Sequence, residues 1–540
     1  MADKDNSNPR WSRRGILKGL GSVPLLGAVG WSAATASKNA TRQRETTLNA
    51  LDINAMPPPP TGPMSGDPIR VGIIGFGGRG HRLCMSLGFA TKNWLDRMSR
   101  AASQNRNDTR LADFLAQDDQ NVRLVGVCDV FDIKAGEALD SFNTNTNEIR
   151  RFRTYEDLIA SSEIDAVVIA TPDHWHAPMA VAALEAGKHV YLEKPMTHNI
   201  AETYQLRDAA RKANGVLMIG HHHRQTQSFL TAQDVIQKNV LGHISLVQVN
   251  TNRNRDTGAW QYNIHEDASQ QTIDWNQFIG NAPMVPFNKE HFFRWRKWWS
   301  YGSGLSGDLL SHDYDRINCV LNMGIPDSVM SSGGIYTHRD GRNVPDVMQV
   351  CMDYANPRNS TAQDDGIRQG MTVLYSATLG NEHTRPTLLM GHDGTMELDN
   401  RLRIFTDRGS TKFADLIEAG TLQPDIPVFE YDPAAEGIDG VTSATTAYFA
   451  NKGLLWTYRD GKRVDPTFLH LREWLSCVRN GGKPSCGIDE GFEEAITAHM
   501  AGLSYKLGRR IDWDPVKEEL VPIPGYDLDE VLLANVERVT

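Results

Sequence analysis

Up to about Gly220 the apolar positions fall into short β-branched runs separated by stretches of helical spacing. Ile69-Arg70-Val71-Gly72-Ile73-Ile74 is the first run, and Leu124–Cys128, Ala166–Ala170 and His189–Leu192 follow it. Near-continuous apolar runs of this length fit strands buried on both faces of a parallel sheet. Between them Tyr155–Ser161 and Ala177–Ala186 carry helical spacing, and the second ends at Gly187 as a C-cap. Gly215–Gly220 reads as the last strand of the set, and residues 89–121 form a polar, charged insertion. Strands alternating with helices predict an α/β fold with a doubly wound parallel sheet of the Rossmann kind.

Beyond Gly220 the pattern changes to apolar–polar alternation, in Ser245–Asn250, Val347–Asp353 and Met371–Ala377. That alternation predicts an antiparallel sheet with one exposed face. Two helices, Thr467–Arg479 and Glu490–Leu507, close this half. Residues 400–465 have weak periodicity and suggest an insertion, and neither they nor Gln363–Gly370 carry a readable motif. The expected division is an N-terminal export signal at 1–36, a proline-rich linker at 37–66, a nucleotide-binding domain at 67–220 and an α+β domain at 221–540.

Length and composition narrow the chemistry. A chain of 540 residues exceeds one ordinary core, so two domains are expected. A formal net charge of -10 and the lack of a basic stripe argue against a nucleic-acid partner. The six cysteines are scattered without metal-type spacing, and most are expected as reduced, buried thiols. At the N-terminus, Ser12-Arg13-Arg14-Gly15-Ile16-Leu17-Lys18 precedes a weakly apolar stretch broken by Gly21, Pro24, Gly27 and Gly30, with Ala34-Thr35-Ala36 after it. That arrangement predicts a twin-arginine export signal, hence a periplasmic or otherwise exported protein with no lasting membrane anchor once it is cleaved. Substrates of this route cross the membrane folded, commonly with a cofactor already loaded.

The first chemical motif follows the first strand. Gly75-Phe76-Gly77-Gly78-Arg79-Gly80 matches GxGxxG. Gly75 permits a tight turn, Gly77 lets backbone approach a pyrophosphate, and Gly80 allows close helix–strand packing. The pyrophosphate then rests on the N-terminus of the following helix. No suitable carboxylate for the ribose hydroxyls comes about 20 residues later. Asp129, at the end of the second strand, takes that role and favours NAD, because it repels a 2′-phosphate. NADP stays open, since Arg79 reaching such a phosphate would reverse the preference.

Glu193-Lys194-Pro195 follows the strand His189–Leu192 at the carboxyl edge of the sheet, where ligands bind. Further on, Asp308 and His312 are spaced to face one way on a helical turn. A lysine, an acid and an imidazole converging on a nicotinamide can take up a hydroxyl proton while hydride leaves the carbon. Taken together, Ile69–Gly80, Thr171-Pro172 with His176, Glu193-Lys194-Pro195, Asp308-x-x-x-His312 and the closing stretch His470–Trp513 resemble the Gfo/Idh/MocA oxidoreductases. The resemblance spans roughly residues 67–515. It implies a Rossmann domain followed by an α+β domain whose large, open, mainly antiparallel sheet builds a homo-oligomer. It also implies Lys194 orienting substrate and cofactor, Asp308 assisting, His312 as general acid/base, and Thr171, Pro172, His176 and Glu193 lining the cofactor.

Two clusters lie outside the standard pattern. His221-His222-His223-Arg224 enters the cleft between domains. On an extended segment its histidines alternate in direction, so His221, His223 and Arg224 are assigned to substrate rather than metal. The aromatic run Phe292–Tyr301 offers Trp298 and Tyr301 as a stacking platform for a sugar, with a domain core as the competing reading. The function expected is oxidation or reduction of a sugar, glycoside or polyol hydroxyl with a tightly held cofactor. Two alternatives remain: a glycosidase or lyase working by transient C3 oxidation, and a non-catalytic binding protein that keeps the fold.

Overall fold

The computed structural model describes residues 51, 53, 58, 61–143, 148–355, 357–358, 369–432, 457–459 and 462–538. The expected export signal and most of the linker lie outside the described residues, as do residues 363–368.

Six strands form the first sheet: β1 (Ile69–Ile74), β2 (Val122–Cys128), β3 (Arg150–Phe152), β4 (Ala166–Ile169), β5 (His189–Leu192) and β6 (Leu217–Ile219). All pair in parallel, in the order β3-β2-β1-β4-β5-β6. That order reverses direction between β1 and β4, and the crevice outside the strand ends there is where a dinucleotide binds. The insertion at 89–121 is helical, with Lys92–Gln104 and Arg110–Leu115 clasped by Trp94 and Phe114 at 5.3 Å. Its surface is polar because only Met98 of the longer helix is buried.

The second sheet has ten strands: β7 (Ile244–Asn252), β8 (Ser328–Gly334), β9 (Val347–Tyr354), β10 (Met371–Thr378), β11 (Thr387–Gly391), β12 (Gly394–Leu398), β13 (Leu402–Thr406), β14 (Phe429–Tyr431), β17 (Ile511–Asp514) and β18 (Glu519–Leu520). A separate hairpin supplies β15 (Thr457–Arg459) and β16 (Lys462–Val464). In the large sheet β7 and β10 run parallel and the other pairs run antiparallel. In β9 every second residue is buried, as the alternation predicts, with the inner face packed into one core with helix Ile488–Leu507. Within 400–465, which has no readable period, β13 and β14 extend the sheet edge and are too short to show one.

Helix Pro466–Asn480 follows the second sheet in the chain but buries Leu471, Trp474 and Leu475 among Val71, Ile73, Val168 and Tyr191 of the first. Asp465 caps it by accepting from the Thr467 N–H at 2.8 Å, and Pro466 occupies its first turn. A second bridge is the segment 253–301. Phe131 and Ile273 form a β-bridge just past β2, while the Phe278 carbonyl accepts from Trp175 Nε1 at 3.0 Å past β4. The carboxyl edge of the nucleotide sheet is thereby enclosed by the second half. Among the described residues no helix is long and apolar enough to cross a membrane.

Candidate active site

The glycine loop sits where β1 ends. In β1–β2 pairing Ile74 faces Cys128, so Gly75 and Asp129 emerge side by side at the carboxyl edge. Gly75 has φ +86, and a Cβ there would lie 2.5 Å from the Ala170 carbonyl oxygen. A Cβ on Gly80 would lie 2.0 Å from the Gly75 oxygen, so helix Gly78–Ser86 touches the loop backbone. Among the described residues nothing lies within 4 Å of a Cβ on Gly77 or Gly78. Open space at the helix start, free N–H groups and the helix dipole suit a pyrophosphate. Thr171 Oγ1, next to the loop, is buried with no partner among the described residues, so a polar ligand atom would satisfy it. These residues fit a dinucleotide.

Asp129 is tied into this loop, accepting from the N–H of Phe76 at 2.6 Å and of Phe131 at 2.8 Å. Burial raises its pKa, and the two N–H donors oppose that rise. Arg79 is engaged within the protein. Its Nε donates to Glu193 Oε1 at 2.7 Å and its Nη2 lies 3.4 Å from His222 Nδ1. The guanidinium that could hold a 2′-phosphate is thus paired with a buried carboxylate. Glu193 likewise braces Arg79 and faces the protein interior.

His176 also changes role. Its Nδ1 faces the Pro195 carbonyl at 2.6 Å and its Nε2 faces the Thr171 carbonyl at 2.9 Å. Both ring nitrogens are thus engaged, and the ring ties the turn at Thr171-Pro172 to the Lys194-Pro195 segment rather than touching a ligand. Asp173 anchors the same turn to the second half, accepting from Ser303 N and Oγ, each at 3.0 Å.

Lys194 and Asp308, 114 residues apart, meet. Lys194 Nζ donates to the Asp308 carbonyl oxygen at 2.6 Å and to Oδ1 at 3.2 Å. Asp308 also accepts from Arg296 Nε at 3.0 Å and Trp260 Nε1 at 3.0 Å. Burial alone would raise the Asp308 pKa, but the cations of Lys194, Arg296 and Arg253 drive it well below the usual carboxylate range. Asp308 is therefore a fixed anion that orients Lys194. The residues Ser306–Leu310 form a π-helical turn and Ser311–Leu321 continues as α-helix, so Asp308 and His312 lie on either side of a change in helix type. Trp260 and the charge-pairing role of Arg296 were not read from the sequence. Trp260 carries φ +65 while fully buried, an unusual backbone state for a bulky residue. No linear motif marks it.

His312 is half-buried, and burial followed by the nearby Lys194 cation and His221–His223 holds its pKa well below that of a free histidine. It is thus neutral at physiological pH and able to accept a proton. The rings of His221, His222 and His223 lie 5.8, 6.2 and 5.7 Å from it. The alternation argued for these three does not hold, because His222–Gln225 forms a 3₁₀ turn instead of a strand. Among the described residues no group of His, Cys, Asp and Glu is placed to hold a metal ion.

The residues assigned to substrate are each engaged by the protein. Arg224 gives Nε and Nη2 to Asp315 at 2.9 and 2.6 Å and Nη1 to the Ser485 carbonyl at 2.8 Å, leaving it no free face for a sugar. His223 accepts from Arg316 Nη2 at 2.8 Å, and His221 is fully buried. Trp298 stacks on His291 at 4.0 Å, and Tyr301 meets His291 Nδ1 through its hydroxyl at 3.1 Å. Both lie in an aromatic core with Phe278 and Ile279, so the core reading of the aromatic run prevails over an exposed platform. The signal was ambiguous because packing and sugar stacking use the same rings.

The buried histidines have a global consequence. His174 and His499 are both pushed down to about 3, burial being the main cause and the neighbouring His198 the next. Their folded pKa values are depressed, so their contribution to stability is intact above the unfolded value of about 6.5. It is lost as pH falls from there toward 3. Two protons taken up only on unfolding give a slope of about 2.7 kcal/mol per pH unit. Urea midpoints measured from pH 7 to 4 are expected to fall steeply; a flat profile would contradict the buried neutral rings.

Residues 69–221 match the family model GFO_IDH_MocA, an oxidoreductase family with an NAD-binding Rossmann fold. The chain is 28% identical over 191 residues to a levoglucosan dehydrogenase of Pseudarthrobacter phenanthrenivorans, covering 33% of this chain and 41% of that one. It is 28% identical over 130 residues to a glycosyl hydrolase family 109 protein of Shewanella baltica, 23% of this chain and 28% of that one. The chain thus spans less than half the length of these two curated relatives. Its fold is similar to the WlbA dehydrogenase of Bordetella pertussis, solved with NADH and UDP-GlcNAcA, with TM-score 0.53 and 18% identity over 84% of this chain and 99% of that one.

Proposed function

We propose, from a chain whose residues 69–221 carry the NAD-binding Rossmann fold of the Gfo/Idh/MocA oxidoreductases, that this protein oxidises or reduces a hydroxyl carbon of a sugar, glycoside or polyol with NAD. The observation that carries this reading is one set of contacts around the nucleotide crevice. Arg79 of the glycine loop reaches Glu193 and His222, the next residue Lys194 pairs with Asp308, and His222 stands against His312. NAD, when bound, supplies the acceptor for hydride from the carbon. His312, neutral and facing the Lys194 charge, takes the hydroxyl proton at its cleft-side nitrogen. Lys194, fixed by Asp308, holds the substrate oxygen and stabilises negative charge on it. The segment 253–301 closes the edge of the crevice and limits water. A retained nucleotide fits this enclosure, and the Arg13-Arg14 signal supports loading before export by the twin-arginine route.

Similarity to the glycosyl hydrolase family 109 protein favours a second reading, in which C3 oxidation acidifies the C2 proton, the aglycone is eliminated, and water addition and re-reduction give net hydrolysis. Two measurements test both. Mass spectrometry of small molecules released from the denatured protein is expected to find NAD rather than NADP. Incubation with glycosides without added nucleotide is expected to yield keto-sugar, or free aglycone if the second reading holds. No sugar turnover under either condition, with NAD bound, would point to a binding protein.

A further inference from the structure

The three adjacent histidines are chemically unequal. His222 faces Arg79, and His223 accepts from Arg316, and burial together with those cations holds both rings well below the usual histidine range. His221 has acids on both sides instead. Its Nδ1 lies 3.8 Å from Asp315 Oδ2 and its Nε2 lies 3.5 Å from Glu494 Oε2. His221 and Glu494 are 0% exposed and Asp315 is 1% exposed. Yet both ring nitrogens of His221, both oxygens of Glu494, Asp315 Oδ2 and His312 Nδ1 have no hydrogen-bond partner among the described residues. Buried polar atoms are nearly always paired, so a cluster of orphans beside a reacting group calls for an explanation. The His221 and His312 ring centroids are 5.8 Å apart with the planes at 89°. The two rings make no direct hydrogen bond, and one water held by several of these polar atoms would join them.

We propose that His221, backed by Glu494 and Asp315, is a relay that carries away the proton His312 takes from the substrate. The idea rests on the oxidoreductase reading of the site. In the forward direction the substrate O–H bond breaks as an N–H bond forms on the cleft-side nitrogen of His312. The proton on His312 Nδ1 passes through one bridging water to His221 Nδ1, and the proton on His221 Nε2 passes to Glu494. No electrons move in these steps, and reversing them returns the proton for reduction. His222 and His223 cannot substitute, because arginines donate into them. Asp315 is itself held by Arg224 through Oδ1, which leaves Oδ2 free to steady the His221 cation. The charged and titratable groups against His221 are His222, His223 and Arg224 on its own turn, His312, Asp315 and Arg316 on helix Ser311–Leu321, His470 on helix Pro466–Asn480 and Glu494 on helix Ile488–Leu507, with Cys486 beside Asp315.

Glu494→Gln in the full chain keeps the side-chain shape and removes the terminal acceptor. It is expected to lower kcat about tenfold with KM and nucleotide retention unchanged, to shift the pH profile of kcat, and to enlarge the solvent deuterium isotope effect. Nitrogen NMR of the His312 ring should show its titration midpoint moved by the substitution. Wild-type pH profile and wild-type His312 titration together would overturn the relay, even if kcat fell through a loss of stability. If the wild-type protein turns over no sugar, the oxidoreductase reading fails while the His312 titration still decides the coupling. Should Glu494→Gln not fold, His221→Asn carries the same measurements with the same expected and contrary results.

Discussion

His312→Ala is expected to cut turnover by about 10²–10⁴ while the protein stays folded and binds NAD as the wild type does. The ring lies on a helix whose other side chains make the packing: Tyr314, Ile317, Val320 and Leu321 are buried in the main core, and His312 is half-buried at the cleft. Removing it deletes the neutral imidazole that faces the Lys194 cation and retains exposure, since His221 and His223 are sealed and His222 is engaged by Arg79. Lys194→Met should give a loss of similar size by a different route, because it takes from buried Asp308 the ammonium that both its carbonyl and its carboxylate hold and leaves Arg296, Trp260 and the Arg253 charge. The two variants separate in their pH behaviour. Without His312 the rate should rise with pH as free hydroxide replaces the base, and without Lys194 the His312 limb should persist. Single-turnover reduction of bound nucleotide by sugar measures both. Wild-type rates in both variants would remove the catalytic assignment.

The second large effect is expected at Gly80. A Cβ there would sit 2.0 Å from the Gly75 oxygen and 3.0 Å from its carbonyl carbon, both backbone atoms that no rotamer change can move. Gly80→Ala must therefore push helix Gly78–Ser86 off the loop, destabilising the domain by about 1–3 kcal/mol. Displacing the helix start by about 1 Å can cost on the order of 100-fold, here read as nucleotide affinity. Gly78→Ala is the control, because its Cβ meets nothing within 4 Å among the described residues. It should melt at nearly the wild-type temperature and still bind nucleotide poorly, since its methyl enters the space assigned to the pyrophosphate. Equal nucleotide retention in Gly80→Ala and wild type would break the assignment of this loop.

How far the sequence alone reaches can be judged element by element. The strands at Ile69, Leu124, Ala166 and His189 were legible because burial on both faces writes itself into consecutive apolar residues. β3 was not, because three residues with one buried carry no pattern. Helix Asp132–Phe142 was hidden by an even mixture of small, acidic and apolar side chains, three of them buried. The glycine loop was legible because its requirement is local: Gly75 and Gly80 answer backbone contacts within a few residues or one strand away, and Gly77 and Gly78 leave the space beside the helix start open. Asp129 could be picked out only by ignoring the expected count, since two inserted helices lengthen the connection while the β1–β2 register still brings it to Gly75.

The triple histidine marks the other limit. Its sequence announced unusual chemistry and gave no hint that its members would differ. The distinction comes from Arg79, Arg316, Asp315 and Glu494, which lie up to 273 positions away and approach only when both halves are packed. The same holds for Lys194 and Asp308, whose pairing spans 114 residues, and for Trp298 and Tyr301, which a linear pattern cannot tell from a sugar platform. By itself the sequence determined the two-part architecture and the dinucleotide loop, and it singled out the lysine, aspartate and histidine to which the chemistry is assigned. The tertiary structure alone decided which charges neutralise each other, because Coulomb and desolvation energies depend on distance and burial in space, and neither is a property of position along the chain.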